Sequence, residues 1–186
     1  LIANFGYYNI NYISETNPDC FGYRFRGGFR GNIIERLSIE ALVGYETIET
    51  DFFSNGEDIK EGTGAGSVNL RYEISETWNL FFDVARHYTF FGAGDPFQLL
   101  DAASVYLRWN ISETVTGAIR GSYEHAHTAL NVSRKYYSGS INVDWKILRN
   151  LVANASGTYR AGDTDYAGQT EKFTDIIFSA GLAFIW

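Results

Sequence analysis

Charged side chains recur at alternate positions along segments whose intervening residues are apolar. Arg24, Arg26, Arg30, Glu40, Glu46, Arg71, Glu73, Asp83, Arg108, Arg120, Glu124, Asp144, Lys146 and Arg160 all fall in one phase. Eight cations and six anions on a common face suit contact with polar or charged solutes, and the Arg24, Arg26, Arg30 stripe favours anions. The same set can instead close on itself. If Ile33 faces Leu37 across a turn, Arg30 faces Glu40 and Arg24 faces Glu46, as cross-strand ion pairs.

Catalytic chemistry has weaker support, and no catalytic residue is expected. Asp83 and His87 share a strand face, but four strand residues span ~13 Å, too far for direct pairing. Glu124, His125 and His127 look like metal ligands only until parity is applied, which turns both histidines away from Glu124. No serine sits in a G-x-S-x-G turn. Cys20 is a lone thiol, and the sequons at Asn110, Asn131 and Asn154 are chance matches. No metal site and no cofactor is expected. The stretches with Asp19, Glu49, Asp51, Glu57, Asp58, Glu61, Asp95, Asp163, Asp165 and Glu171 form an acidic rim that could hold divalent cations, with a plain solvated surface as the default.

The elements that must position these residues follow from the period. Alternation with period 2 runs through nearly the whole chain and a helical period is absent. Segments 1–13, 21–33, 37–47, 66–74, 78–90, 103–111, 115–123, 137–147, 151–160 and 174–186 read as ten strands, the first with a bulge near Tyr7-Tyr8. Ile33, Ile74, Ile111 and Ile147 each end a strand and are followed by a three-residue turn. A hairpin of roughly 37 residues therefore repeats. Longer polar stretches, 14–19, 49–61, 92–98, 128–135 and 163–172, join the other ends. The expectation is one all-β domain over 1–186, an antiparallel up-and-down transmembrane barrel. Whether it is complete or the C-terminal part of a longer barrel stays open.

Composition narrows the classes. No apolar run approaches the ~18–20 residues of a spanning helix, and a net charge of −7 argues against a nucleic-acid partner. The 31 aromatic residues and 19 glycines, with no methionine, suit strands. The apolar face mixes Val, Ile and Leu with Ala and Gly; lipid fills the space beside small side chains, whereas a dry core would be left with voids. Trp78, Trp109, Trp145 and Trp186 all point to that face near the short turns. Tyr23, Tyr45, Tyr88, Tyr123, Tyr137 and Tyr159 share it nearer the long stretches. Two aromatic girdles mark two membrane interfaces, and the polar face then lines the lumen. Arg86 is the outward residue that fits worst, unless it lies at head-group level.

The last residues, Ser179-Ala180-Gly181-Leu182-Ala183-Phe184-Ile185-Trp186, resemble the terminal β-signal of bacterial outer-membrane proteins, with Gly181, Phe184 and Trp186 at its characteristic positions. The resemblance implies a Gram-negative outer membrane, insertion by the barrel-assembly machinery, and contact with outer-membrane lipid and lipopolysaccharide. More loosely, the hairpin texture, as in residues 68–75 and 36–41, resembles the β-barrel porins found with exopolysaccharide systems. That implies a passive channel with a charged lumen. The alternative is a structural barrel whose lumen is plugged by salt bridges and whose loops or outer face bind partners.

Overall fold

The computed structural model describes residues 1–11, 19–51, 59–90, 97–128, 132–166 and 168–184. Ten strands follow one another: β1 (Ile2–Ile10), β2 (Asp19–Ile34), β3 (Leu37–Asp51), β4 (Ile59–Glu73), β5 (Trp78–Phe90), β6 (Phe97–Asn110), β7 (Val115–Thr128), β8 (Ser133–Leu148), β9 (Leu151–Tyr166) and β10 (Gln169–Phe184). They form one antiparallel sheet in sequence order, so every connection is a hairpin. No ladder joins β10 to β1 among the described residues.

The four short turns divide into two kinds. The repeated Ile-Ser-Glu-Thr at residues 74–77 and 111–114 bends through its serine. Ser75 Oγ accepts from the Thr77 N–H at 3.3 Å, and Ser112 Oγ accepts from the Thr114 N–H at 3.3 Å and the Val115 N–H at 3.1 Å. A Ser hydroxyl closing the backbone two residues on stops the strand without glycine. The other two turns are tighter, and each is preceded by a register shift. On β2 it falls between Asn32 and Ile34, on β8 between Lys146 and Leu148, so Ile33 and Ile147 stand unpaired. Ile34, not Ile33, therefore faces Leu37. The expected bulge at Tyr7-Tyr8 is not formed, since β1 pairs with β2 without interruption from Ile2–Gly28 to Ile10–Cys20.

The larger departure is strand length. From β2 onward the strands run 13 to 16 residues. A tilted strand needs only ~9–11 residues to cross a membrane. The excess lies at the ends away from the short turns, and it absorbs residues expected in loops. Asp19, Glu49, Asp51, Glu61, Asp163, Asp165 and Glu171 all belong to strands. Within the expected loop 163–172, residues 163–166 and 169–172 are strand, and Gly168 takes φ 84°. Glu57, Asp58, Asp95 and Trp186 lie outside the described residues. Alternation persists through these polar ends, and ladder hydrogen bonds hold them in the same register as the rest of each hairpin.

Large hydrophobic side chains remain exposed on one face: Phe25, Val43, Tyr45, Ile141, Trp145, Ile176, Phe178 and Leu182 are among them. Such a continuous apolar surface is not a water-facing one. What the described residues do bury is small. Ile48, Tyr88 and Phe97 pack together with Tyr8, Ile59, Phe90 and Leu99.

Candidate functional site: the polar face of the sheet

Register places all fourteen charged positions on one face. Arg24 pairs with Glu46 and Arg30 with Glu40. Asn69 pairs with Asp83, and Asp83 with Ser104. From there the same face continues through Ser104–Ser122, Ser122–Ser138, Ser138–Arg160 and Arg160–Asp175. Two stretches of this face differ in what the charges do.

On β2, β3 and β4 the charges meet one another. Arg24 Nη2 donates to Glu46 Oε1 at 2.5 Å and Nε to the same oxygen at 3.0 Å; Arg26 Nη2 reaches Glu46 Oε2 at 3.5 Å. Arg30 pairs with Glu40, and Arg71 Nη2 with Glu73 Oε1 at 3.0 Å. Glu46 is fully buried, and it also accepts the backbone N–H of Tyr88 at 3.3 Å. A buried carboxylate needs that many donors, since each unfilled lone pair in a dry site costs free energy. Arg71 additionally lies over the Phe81 ring at 5.7 Å, a cation–π contact.

Tyr88 can reach Glu46 because the β4–β5 ladder stops at Gly66–Arg86, short of the strand ends. Beyond that point β5 leaves β4, and its end turns over the polar face of β3 and β4. Tyr88 is therefore not part of the exposed tyrosine band that its parity indicates. It is 4% exposed, its hydroxyl donates to Glu61 Oε2 at 3.4 Å, and its ring meets Phe97 edge-on at 5.5 Å. Tyr8 joins the cover by donating to the Thr47 carbonyl at 2.8 Å. No periodicity signals this arrangement, because it arises from a missing ladder rather than from a pattern.

Across β7–β10 the face stays open. A cleft of about 530 Å³ is lined by Arg120, Ser122, Glu124, Tyr136, Ser138, Ser140, Thr158, Arg160 and Phe173, among others. Arg120, Glu124 and Arg160 are exposed, and no ion pair engages them among the described residues. Ser122 and Ser138 share a hydrogen bond at 2.6 Å. At the cleft's loopward end the Tyr136 and Phe173 rings lie 5.8 Å apart. They fit there because Gly162 has no side chain. A Cβ on it would come within 2.6 Å of Phe173 and 2.9 Å of Tyr136. Two aromatics in polar phase flanking a glycine are a signal present in the sequence, although composition hides them among 31 aromatic residues. Arg108, Asp144 and Lys146 lie nearer the turns, where Asn142 donates to Asp144 at 3.2 Å. Asp83 accepts from Ser104 at 3.5 Å.

The opposite face carries the aromatic residues. Trp78 and Trp109 stack at 5.6 Å and 17° on paired positions next to the turns. Gly117 lies directly beneath Trp109, where a Cβ would fall 2.3 Å from the indole. Trp145 is exposed on the same face. Nearer the other end Tyr123 and Tyr137 pair at 5.1 Å, with Tyr45 and Tyr159 exposed. In the C-terminal segment Gly181 pairs with Asn154, and Phe184 with Leu151.

Ten up-and-down antiparallel strands, with one apolar and one polar face, give an all-β fold of the kind that outer-membrane barrels have. In structure the chain is similar to OmpT (in-vitro folded), an outer membrane protein of Vibrio cholerae, with a TM-score of 0.52 at 14% identity. The match covers 99% of this chain and 64% of that one, so this chain spans just under two thirds of that protein's length. No family model matches the sequence, and comparison with curated protein sequences gives no match.

Proposed function

We propose that this chain forms the wall of a porin-like passive channel in a Gram-negative outer membrane, its polar face lining the lumen. The observation that carries this reading is the cleft across β7–β10. Unpaired Arg120, Arg160 and Glu124 stand there beside four hydroxyl side chains and an aromatic pair. Two guanidinium groups attract anions. Hydroxyls and an aromatic edge also suit sugar rings, which fits the exopolysaccharide-associated porins that the hairpin texture resembles. The reading requires the outer edges of β1 and β10, which no ladder joins among the described residues, to be satisfied in the bilayer, by each other or by further strands. Unpaired peptide groups in hydrocarbon cost several kcal/mol each.

The Glu46 cluster favours a second reading, in which the lumen is plugged and the barrel acts through its outer face or loops. Planar-bilayer conductance separates the two. Purified protein reconstituted in neutral lipid is expected to give discrete current steps. A folded protein, verified by heat-modifiable mobility on gels, that passes no current would leave the plugged reading standing.

A further inference from the structure

One row on the apolar face is not apolar. Reading across the sheet by register, Arg86 on β5 faces Asp101 on β6, and Asp101 faces His125 on β7. His125 faces Lys135 on β8, Lys135 faces Asp163 on β9, and Asp163 faces Lys172 on β10. Six neighbouring strands thus place ionisable side chains at one level, on the face opposite Arg24 and Arg160. The level matters. Between the tryptophans and this row the same face of β5–β10 carries no charge, from Leu80, Phe82 and Val84 on β5 to Ile176, Phe178 and Leu182 on β10. Eight residues separate Trp78 from Arg86 and Trp109 from Asp101. At ~3.3 Å per residue and a tilt near 40°, that is ~20 Å, against an apolar band of roughly 25 Å in outer-membrane barrels. The row is therefore the first charge met on leaving the hydrocarbon at the loopward interface, one step beyond the Tyr123–Tyr137 pair.

The row is loosely paired within itself. Arg86 and Asp101 stand 3.6 Å apart, and Lys135 and Asp163 4.0 Å, both beyond hydrogen-bond range. The pairs on the polar face are closer. Each aspartate lies between two basic residues. Only His125 and Lys135 adjoin with no acid between them, and Ser133 Oγ lies 3.1 Å from His125 Nε2. The gap between them is bordered by an imidazole, an ammonium and a hydroxyl, three groups that can each donate to a single anion.

We infer that this row, centred on His125, Lys135 and Ser133 and extended by Lys172 and Arg86, binds the phosphomonoester of a phosphorylated lipid in the leaflet on the loop side. A phosphomonoester carries close to two charges and three acceptor oxygens, which matches the Lys135 ammonium, the His125 ring and the Ser133 hydroxyl better than a singly charged phosphodiester does. The inference rests on the apolar face meeting lipid, not on the channel passing current.

The test refolds the full chain in phosphatidylcholine vesicles doped with diphosphoryl lipid A, or with phosphatidylglycerol at equal total charge. Retained lipid is counted by native mass spectrometry after detergent extraction. Lipid A is expected to stay bound. Its retention should fall about tenfold in Lys135→Gln/Lys172→Gln, the loss of two solvent-exposed ion contacts. Lys135→Arg/Lys172→Arg should restore it, and Arg36→Gln/Arg149→Gln, at the short turns, should leave it unchanged. Equal retention of phosphatidylglycerol, equal loss in the turn variant, or full retention in Lys135→Gln/Lys172→Gln would overturn the inference. The conductance of Lys135→Gln/Lys172→Gln should equal the parent's, so a silent channel and a failed lipid site are separate outcomes.

Discussion

The loopward end of β2–β5 and the cleft of β7–β10 draw on the same residue types, arginine, glutamate and tyrosine, and use them differently. Around Glu46 the charges are consumed internally. Two arginines and a backbone N–H converge on one carboxylate, and Tyr8, Tyr88 and Phe97 cover it. Around Arg120 and Arg160 the ladders run to full length, the hydroxyls bond one another, and the guanidinium groups stay uncommitted. The cause of the difference is one shortened ladder. Where β5 leaves β4 after Arg86, a strand end becomes free to fold over its neighbours. One stretch has the marks of stability, and the other has those of solute contact.

The comparison breaks most visibly at Glu46. Glu46→Ala leaves Arg24 and Arg26 beside a buried site with no counter-charge, and a loss of about 3–5 kcal/mol is expected in urea unfolding from vesicles. The equivalent change in the open stretch, Glu124→Ala, should stay within about 0.5 kcal/mol, because an exposed carboxylate without a partner supports nothing. Similar losses at the two positions would erase the distinction. Next in size is Gly162→Val, which drives a side chain into Phe173 and Tyr136. It should cost about 1–3 kcal/mol and disturb the cleft, seen as a change in tyrosine fluorescence. Smallest is Arg30→Gln. Arg30 is 70% exposed, so its pair with Glu40 should contribute no more than about 1 kcal/mol, and less at high salt.

Much of this architecture is legible in the order of the residues. Parity alone puts the fourteen charges and the tryptophans on opposite faces, because a pleated strand leaves no third option once register is set. The Arg30–Glu40 and Arg24–Glu46 pairs follow from one turn position, although the true turn is offset by the unpaired Ile33. Strand ends are less legible. Polar residues at 163–172 read as loop, yet hydrogen-bonded extension past the membrane carries no hydrophobic signature. Tyr88 misleads for a different reason, since its parity is right but its strand has parted from the wall. Arg86, an apparent misfit among outward residues, makes sense only beside Asp101 on the next strand, and that requires the register.

In the proposed channel, solute meets the β7–β10 stretch and not the paired arginines of β2. Reversal potential across a bilayer under a potassium chloride gradient tests it most directly. Arg120→Gln/Arg160→Gln should lower the anion-to-cation permeability ratio about threefold, the worth of a near charge in a watery site, while Arg30→Gln leaves it unchanged. A shift with Arg30→Gln and none with Arg120→Gln/Arg160→Gln would contradict the account.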